Sequence, residues 1–283
     1  MAGDLHCHTR LSKGSMGIDD LITLARAQGV THLAIVDQDC MAGTVRARIL
    51  GERHGIQVLH GVEFSCTAAD GREVHLLCYL AENPGRLEGL CHQNITARHQ
   101  SMKTTVAKFL RRFPVSLELV KECARGSTCL YPQHLMRALV ESGLTDRFGG
   151  ELYRELFTAE SCDNILCPAQ FSSPQEVMQA IHQAGGIAVL AHPGEGGPAL
   201  DMLDELIAAG LDGIEVLHPA NARDMQKQLL SRAKDAGMLV TGGSDFRGMY
   251  GTATVGHTQM NDAQLALLLS YKSRMKRKQT ARG

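Results

Sequence analysis

A chain of 283 residues, with 44% hydrophobic and 21% charged residues, is long and apolar enough to bury a sizeable core, which argues against intrinsic disorder. The formal net charge of -1 and the pI near 6.9 do not indicate a nucleic-acid or membrane partner, so any anion-binding site must be local. The sequence shows neither the apolar stretch of a signal peptide nor a run of roughly 18 apolar residues, so we expect a cytoplasmic protein that does not cross a membrane.

The first part of the chain alternates short apolar runs with amphipathic ones, as a β/α repeat does. The predicted elements are a strand at 3–6, a helix at 18–28, a strand at 31–36 and a helix at 41–54. Two further strand-like runs, at 56–65 and 73–80, flank the turn-rich Ala69-Asp70-Gly71. This pattern indicates a hairpin-like interruption of the repeat.

The middle of the chain does not alternate, because consecutive helices fill residues 83–167. These helices are predicted at 87–113, 116–123, 132–142 and 151–157. Alternation then resumes, with helices at 174–184, 199–209 and 222–236 and strands at 187–191, 213–217 and 238–241. We therefore predict one discontinuous domain, residues 1–82 and 168–265, with a helical cap inserted at 83–167. The basic tail, 266–283, is interpreted as a frayed terminus rather than a nucleic-acid contact.

Polar side chains cluster where predicted strands end. They are His6 and His8, Asp37 to Asp39, Glu63, His192, and Ser244 with Asp245. In α/β folds the sites are built at this edge. Because side chains alternate along an extended segment, His6 and His8 point to the same side and can hold one ion. Alone, each feature is weak, since His-x-His occurs by chance and an Asp at a strand end is often a helix N-cap.

Imidazole and carboxylate groups at this edge could bind divalent metal ions. Neutral imidazoles suit zinc and iron, while carboxylates accept manganese and can bridge two ions. The candidate ligands are His6, His8, Glu63, His75, His192 and Asp245. They suffice for two ions, and such a pair suits phosphate-ester hydrolysis, because a bridging water becomes hydroxide near neutral pH while both ions neutralise phosphate oxygens.

Six segments resemble, in order and spacing, the motif series of the polymerase-and-histidinol-phosphatase (PHP) family. They are DLHCHT at 4–9, IVDQDC at 35–40, GVE at 61–63, VH at 74–75, AHP at 191–193 and GSDF at 243–246. The resemblance implies an α/β protein, a distorted (β/α)7 PHP barrel whose active site lies at the carboxyl ends of the strands, below the inserted cap.

The same resemblance implies two divalent ions, of manganese, iron or zinc. A first ion would be held by His6, His8, Glu63 and Asp245. A second would share Glu63 with His75 and His192, and the attacking hydroxide would lie between the two ions.

The chain departs from the family pattern at three positions. Many members bind a third metal ion through an Asp and two His, where this chain has Lys13, Gln38 and Arg247. An Asp plus a divalent ion contributes a charge of about +1, whereas Lys13 plus Arg247 contributes about +2. We therefore expect Lys13 and Arg247 to replace the third ion as a catalytic phosphate clamp, with Gln38 contacting substrate.

A rival interpretation is that Lys13 and Arg247 simply pair with Asp37 and Asp39. That arrangement would leave an impaired, phosphate-binding protein of the same fold.

Three further residues are candidates for contacts with substrate. Arg98 and His134 resemble insertion residues that face substrate phosphate in related phosphatases, although each could equally be a surface helix residue. His218 follows the predicted strand at 213–217 and could protonate a leaving alkoxide, or it could have a plain hydrogen-bonding role.

The expected activity is hydrolysis of a small phosphorylated sugar or nucleotide, either a phosphomonoester or a cyclic phosphodiester such as phosphoribosyl cyclic phosphate. The alternative is a 3′,5′-nucleoside bisphosphate phosphatase that also trims the 5′ ends of short RNA. A cap over the site would enclose a small ligand better than a long nucleic acid. The sequence leaves the metal identity and the oligomeric state open.

Overall fold

The computed structural model describes residues 2–158, 161–194 and 200–280, with side chains described as far as residue 273. Seven strands form one sheet in sequence order. The strands are β1 (Gly3–Cys7), β2 (His32–Ile35), β3 (Gln57–Thr67), β4 (Glu73–Tyr79), β5 (Ile187–Leu190), β6 (Gly213–Leu217) and β7 (Leu239–Gly242). All neighbours pair in parallel except β4, which is antiparallel to both β3 and β5. The predicted hairpin at 69–71 explains the antiparallel pairing of β3 with β4, because strands joined by a short turn must run in opposite directions. Strand β5 runs in the direction of β3 and is therefore also antiparallel to β4.

The sheet curves into a nearly closed barrel. The His8 amide donates to the Phe246 carbonyl at 2.8 Å, and the Phe246 amide donates to the His6 carbonyl at 3.2 Å, so β1 meets the segment after β7. Gly243 permits this approach, because a Cβ at that position would overlap the backbone of His6. The expected distorted α/β barrel is therefore confirmed.

Helices pack around the barrel and its interior is apolar. The outer helices are α1 (Ile18–Ala27), α2 (Thr44–His54), α7 (Pro174–Gln183), α8 (Leu203–Ala208) and α9 (Arg223–Asp235). Inside, Leu5, Val36, Leu77 and Val189 belong to one buried cluster, and Leu77 lies opposite Val189 across β4 and β5. This packing leaves the carboxyl-terminal edge of the barrel for polar groups. Residue 199, the first of a predicted helix, lies outside the described residues.

The inserted segment forms the predicted helices. They are α3 (Glu88–Arg112), α4 (Leu117–Cys123), α5 (Pro132–Glu141) and α6 (Glu151–Phe157). These helices share a buried cluster of their own that includes Phe109, Val120, Leu135, Leu139 and Leu156. The division of the chain at 82/83 and 167/168 stays a prediction, which this separate cluster supports.

The tail differs from the expected frayed terminus, because helix α10 (Asp262–Thr280) includes most of it. Leu265 and Leu268 are buried against the barrel, and the Tyr271 hydroxyl donates to Asp212 at 2.8 Å. The residues that anchor the helix come before the basic residues in the sequence. The basic stretch taken alone lacks such apolar residues and therefore suggested a frayed terminus. Residues 281–283 of the tail lie outside the described residues.

Within the described part of the chain, we find no helix that combines the length and apolar character needed to cross a membrane. The cytoplasmic location stays a prediction.

Candidate metal centre and substrate cleft

The predicted metal ligands meet at one end of the barrel. His6 and His8 alternate on and just after β1, and His192 follows β5. Glu63 lies on β3, and His75 lies opposite Ser65 in the β3–β4 pairing, so Glu63 and His75 share a face. Because β4 is antiparallel, its beginning lies at the same edge as the ends of the other strands. The topology therefore explains how residues far apart in sequence form one cluster.

Glu63 lies at the centre of this cluster and is completely buried. Its Oε1 atom is 3.0 Å from His192 Nε2, 3.2 Å from His75 Nδ1 and 3.6 Å from His6 Nε2. Its Oε2 atom is 3.5 Å from His8 Nε2. One carboxylate thus faces imidazoles from both predicted ion positions, as a bridging ligand requires.

Asp245 completes the cluster on the side of His6 and His8. Its Oδ1 atom is 3.3 Å from His8 Nε2 and 3.8 Å from His6 Nε2. Asp245 and His192 both have left-handed backbone conformations, with φ of 49° and 27°. Strained backbone at non-glycine residues is common where a side chain must be aimed into a functional site.

Hydrogen bonds orient two of the imidazoles. His6 Nδ1 is 2.8 Å from Glu215 Oε1, and His75 Nε2 is 3.0 Å from Glu73 Oε1. A proton on each of these nitrogens leaves a lone pair on the nitrogen that faces Glu63. Carboxylates behind imidazoles commonly have this orienting role in metal sites.

The donor set fits divalent metal ions. Among the described residues, the buried His6 Nε2 and His8 Nε2 atoms have no hydrogen-bond partner. Such atoms are costly to bury unless something else satisfies them. His6 with Glu63 and His192, and His6 with His8 and Asp245, each place three ligand atoms within 4.8 Å of one another. Each set offers the imidazole and carboxylate donors that zinc, iron and manganese accept.

The protonation states of His8 and Glu63 suit metal binding, whereas the raised pKa values of His6 and His75 oppose it. Burial and nearby Lys13 lower the pKa of His8 to about 3, so its imidazole is neutral. Burial opposes ionisation of Glu63, but Lys13 and His75 keep its pKa well below the ordinary value. Burial alone would lower the pKa of His75, but Glu63 and Glu73 raise it to about 9, so an ion bound there must displace a proton.

His218 lies beside the predicted metal ligands, and its Nε2 atom is directed toward Asp245. It is buried, its Nδ1 atom accepts from the Ala220 amide at 3.1 Å, and its Nε2 atom lies 3.7 Å from Asp245 Oδ2. Because Nδ1 accepts, the proton of the neutral ring is on Nε2. That proton points toward Asp245, one of the predicted metal ligands.

The three residues that replace the third metal site lie beside the cluster. Lys13 Nζ is 2.8 Å from Glu63 Oε2, and Arg247 Nε is 2.9 Å from Asp245 Oδ1. Gln38 Nε2 donates to Ser65 Oγ at 2.9 Å.

The two cations therefore do not follow the rival expectation of pairing with Asp37 and Asp39. Asp37 accepts hydrogen bonds from Thr9 and Ser12, and Asp39 pairs with Arg98 at 3.2 Å. Lys13 contacts Glu63 instead of Asp37 because its loop folds back over Glu63. The carboxylate of Asp37 accepts hydrogen bonds from the hydroxyls of that same loop.

A cleft of about 270 Å³ separates the barrel from the cap. On the barrel side it is lined by Lys13, Gln38, His75, His192 and Arg247. On the cap side it is lined mainly by Arg98, Met102, Tyr131, Gln133, Tyr153 and Leu166. The cap thus stands over the predicted metal ligands, as the resemblance implied.

The two cap residues predicted to contact substrate differ in position. Arg98 lines the cleft, where its guanidinium donates to Ser65 Oγ at 2.5 Å and stacks over the Tyr131 and Phe171 rings. His134 does not line it: the side chain is buried, and Nδ1 accepts from the Tyr131 amide at 3.1 Å. His134 therefore caps helix α5, and its position gives no support to a phosphate contact.

Sequence reasoning missed Glu215 and Glu73, the two carboxylates behind the imidazoles. Glu215 is completely buried between apolar neighbours on β6. A charged residue inside a strand that is otherwise apolar was the available signal, because strands of parallel sheets are buried on both faces. Glu73 begins β4, two residues before His75, and gave no comparable signal.

Several known proteins with similar sequences hydrolyse phosphate esters, as their names state. The chain is 34% identical over 255 residues to a phosphoribosyl 1,2-cyclic phosphate 1,2-diphosphodiesterase of Eggerthella lenta, covering 89% of this chain and 96% of that protein. It is 31% identical to a 5′-3′ exoribonuclease of Haemophilus influenzae, covering 86% and 89%. It is 30% identical to a 3′,5′-nucleoside bisphosphate phosphatase of Chromobacterium violaceum, covering 90% and 91%.

Solved structures and a family model agree with these relatives. A Bifidobacterium adolescentis protein assigned as a metal-dependent phosphoesterase matches with a TM-score of 0.86 at 29% identity, covering 94% of each chain. A Chromobacterium violaceum amidohydrolase with bound sulfate matches with a TM-score of 0.81 at 26% identity, covering 92% of each chain. The PHP domain model matches residues 4–146. With the clustered ligands at the barrel edge, these matches establish that the chain belongs to the PHP family of metal-dependent phosphoesterases.

Proposed function

We propose that this chain hydrolyses a small phosphorylated sugar or nucleotide, a phosphomonoester or a cyclic phosphodiester such as phosphoribosyl cyclic phosphate, with two divalent ions. The observation that carries the proposal is the convergence of imidazoles on Glu63, beside a cleft that also contains Lys13 and Arg247. One ion would be held by His6, His8, Glu63 and Asp245. The other would share Glu63 with His75 and His192.

Ions held there would supply Lewis acidity, which would polarise the phosphate ester and lower the pKa of water so that hydroxide can attack near neutral pH. The chain's own residues bind and orient the phosphate. Lys13 offers a point charge and Arg247 a planar fork, so the two can bind different oxygens of one phosphate group. Their positive charge would stabilise the charge that develops on those oxygens during attack.

His218 would protonate the leaving alkoxide. Its Nε2 proton faces the cluster, and its Nδ1 atom is held by the Ala220 amide. A proton at this position suits sugar esters, because an alkoxide is a poor leaving group without protonation.

The dimensions of the cleft favour a small substrate. Its volume of about 270 Å³ is near the lower end of ordinary ligand pockets. The cap residues that line it include Met102, Tyr131 and Leu166, which would enclose a sugar or a base. Hydrolysis of long nucleic acid is therefore the weaker possibility, while the terminal nucleotides of a short RNA remain compatible with the cleft.

A screen of phosphate release tests this function. Sugar and nucleotide phosphates, including cyclic esters and 3′,5′-bisphosphates, are assayed with manganese, iron and zinc. The wild type is compared with the triple change Lys13→Asp, Gln38→His and Arg247→His, which restores a third-metal pattern. If only the triple variant hydrolyses any substrate, the phosphate clamp is wrong. Metal analysis of protein purified without chelator should give about two ions per chain, and three tightly bound ions would contradict the two-ion centre.

A second candidate function is binding of a phosphorylated ligand without turnover. It is favoured by the contacts of Lys13 with Glu63 and of Arg247 with Asp245. In each contact the cation occupies a carboxylate that the proposed metal ions would otherwise bind. Turnover of any phosphate ester that His6→Ala abolishes would exclude this candidate.

A further inference from the structure

Lys13 and Arg247 contact carboxylate oxygens that the proposed metal ions would also bind. Lys13 Nζ is 2.8 Å from Glu63 Oε2, and Arg247 donates through Nε and Nη2 to the two oxygens of Asp245, at 2.9 and 2.5 Å. Both carboxylates belong to the groups of side chains that could hold an ion. A divalent ion and a side-chain cation repel each other, so they compete for these oxygens.

The competition takes place in a buried environment. The side chains of Lys13 and Glu63 are 5% and 0% exposed, and those of Arg247 and Asp245 are 18% and 11% exposed. Water screens such pairs poorly, so the contacts are stronger than surface ion pairs. Lys13 and Arg247 also line the cleft, so each cation has a second possible partner, the phosphate of a bound ligand.

The backbone carrying the two cations is fixed, so only their side chains need to move. Ser15 joins the two loops, because its amide donates to the Arg247 carbonyl at 3.2 Å and its hydroxyl accepts from the Met249 amide at 2.9 Å. Gly248 between them has a left-handed φ of 64°, and a Cβ there would overlap Ser15. A change of partner by rotation of the side chains requires no rearrangement of the fold.

We propose that Lys13 and Arg247 exchange partners when phosphate binds, leaving Glu63 and Asp245 to the metal ions and moving onto the phosphate oxygens. This inference rests on the proposed metal centre and adds a linkage to it. With two ions bound beside both cations, the cluster carries excess positive charge, which a phosphate group relieves. Phosphate and metal therefore bind with positive coupling, and each raises the affinity of the other by the same factor.

The test is a titration with Mn²⁺, in which the EPR signal of the free ion is measured with and without inorganic phosphate. Wild type is compared with Lys13→Met, which removes the charge but keeps an unbranched side chain. Without phosphate, the variant should bind Mn²⁺ about 5- to 150-fold more tightly, the usual range of coupling between sites. Phosphate should tighten Mn²⁺ binding more in wild type than in the variant.

Lys108→Met is the matched control, because Lys108 is exposed on α3 and its loss changes the net charge equally. It should bind Mn²⁺ as wild type does. Arg247→Gln repeats the test at the second cation, should Lys13→Met prove unfolded by circular dichroism.

Three results would overturn the exchange: no effect of phosphate on Mn²⁺ affinity in wild type, unchanged or weaker Mn²⁺ binding by a folded variant, or equal phosphate effects in both proteins. The titration does not depend on turnover. A coupled but inactive protein would contradict the proposed function alone, whereas an active enzyme without coupling would contradict the exchange alone.

Discussion

Glu215 Oε1 lies 2.8 Å from His6 Nδ1, and both side chains are completely buried. The second carboxylate oxygen of Glu215 accepts from the His192 amide at 2.9 Å. One carboxylate on β6 therefore holds an imidazole on β1 and the backbone of the segment after β5. Because His6 and His192 face Glu63 from these two elements, Glu215 fixes the relative positions of these predicted metal ligands.

Glu215→Gln should weaken metal binding by about 10- to 100-fold, the usual effect of changing a partner behind a metal ligand. An amide has one acceptor oxygen, so it cannot accept from both His6 and the His192 backbone. Dissociation constants for Mn²⁺ and Zn²⁺, from competition with a chelator, measure the change.

Glu118→Gln, at an exposed position of α4, is the matched control for the loss of charge. Equal metal affinity in Glu215→Gln and wild type would show that Glu215 has no part in orienting His6.

The barrel and the grouping of the predicted metal ligands at its edge were predictable, because their signals are local. Apolar runs alternate with amphipathic ones, and each predicted ligand lies on a predicted strand or within four residues of its end. His75 lies near the beginning of its strand rather than at its end, so only the antiparallel direction of β4 brings it to the same edge as the other predicted ligands. Tertiary pairing, rather than local pattern, determined its position.

The partners of the buried charges were not predictable. Whether Lys13 contacts Asp37 or Glu63 depends on how the loop after His8 folds, and no periodicity specifies that. The role of His134 was not predictable either. A histidine in a helical segment was compatible with a substrate contact, with surface exposure or with a cap. Only the position of the Tyr131 amide decides for the cap.

Arg247→Gln should lower kcat/KM about 10- to 150-fold at saturating metal. This range corresponds to the loss of a hydrogen bond to a charged group, about 1.5 to 3 kcal/mol. Steady-state kinetics on the best substrate of the phosphate-release screen measure it. Arg125→Gln, which changes an exposed arginine, is the control. A folded Arg247→Gln enzyme with the kcat/KM of wild type would show that Arg247 does not bind the phosphate in the transition state.

His218→Asn should lower kcat for sugar phosphates by about 10²- to 10⁴-fold, the usual contribution of a positioned acid. The amide oxygen of asparagine can replace Nδ1 as the acceptor for the Ala220 amide, so the change mainly removes the Nε2 proton. A 4-nitrophenyl ester should lose much less, because its leaving group needs no proton. Equal losses on both substrates would instead indicate a structural or metal-binding role for His218.

His134 links the stability of the cap to pH. Burial, with a smaller contribution from Arg137, lowers the pKa of its imidazole to about 4. The neutral ring accepts from the Tyr131 amide through Nδ1 and so satisfies a backbone group at the start of α5. Protonation would remove that acceptor and place a charge in a buried position.

The stability of wild type should therefore fall as pH decreases from about 6.5 to about 4. The unfolded chain binds a proton at His134 throughout this window while the folded chain does not, so the contribution is complete above the window and is lost below it. The loss is at most about 3 kcal/mol. His134→Gln should reduce it, because glutamine at this helix position can accept from the same amide without titrating. Urea midpoints of both proteins at several pH values give the comparison, and parallel pH profiles would show that another group causes the acid sensitivity.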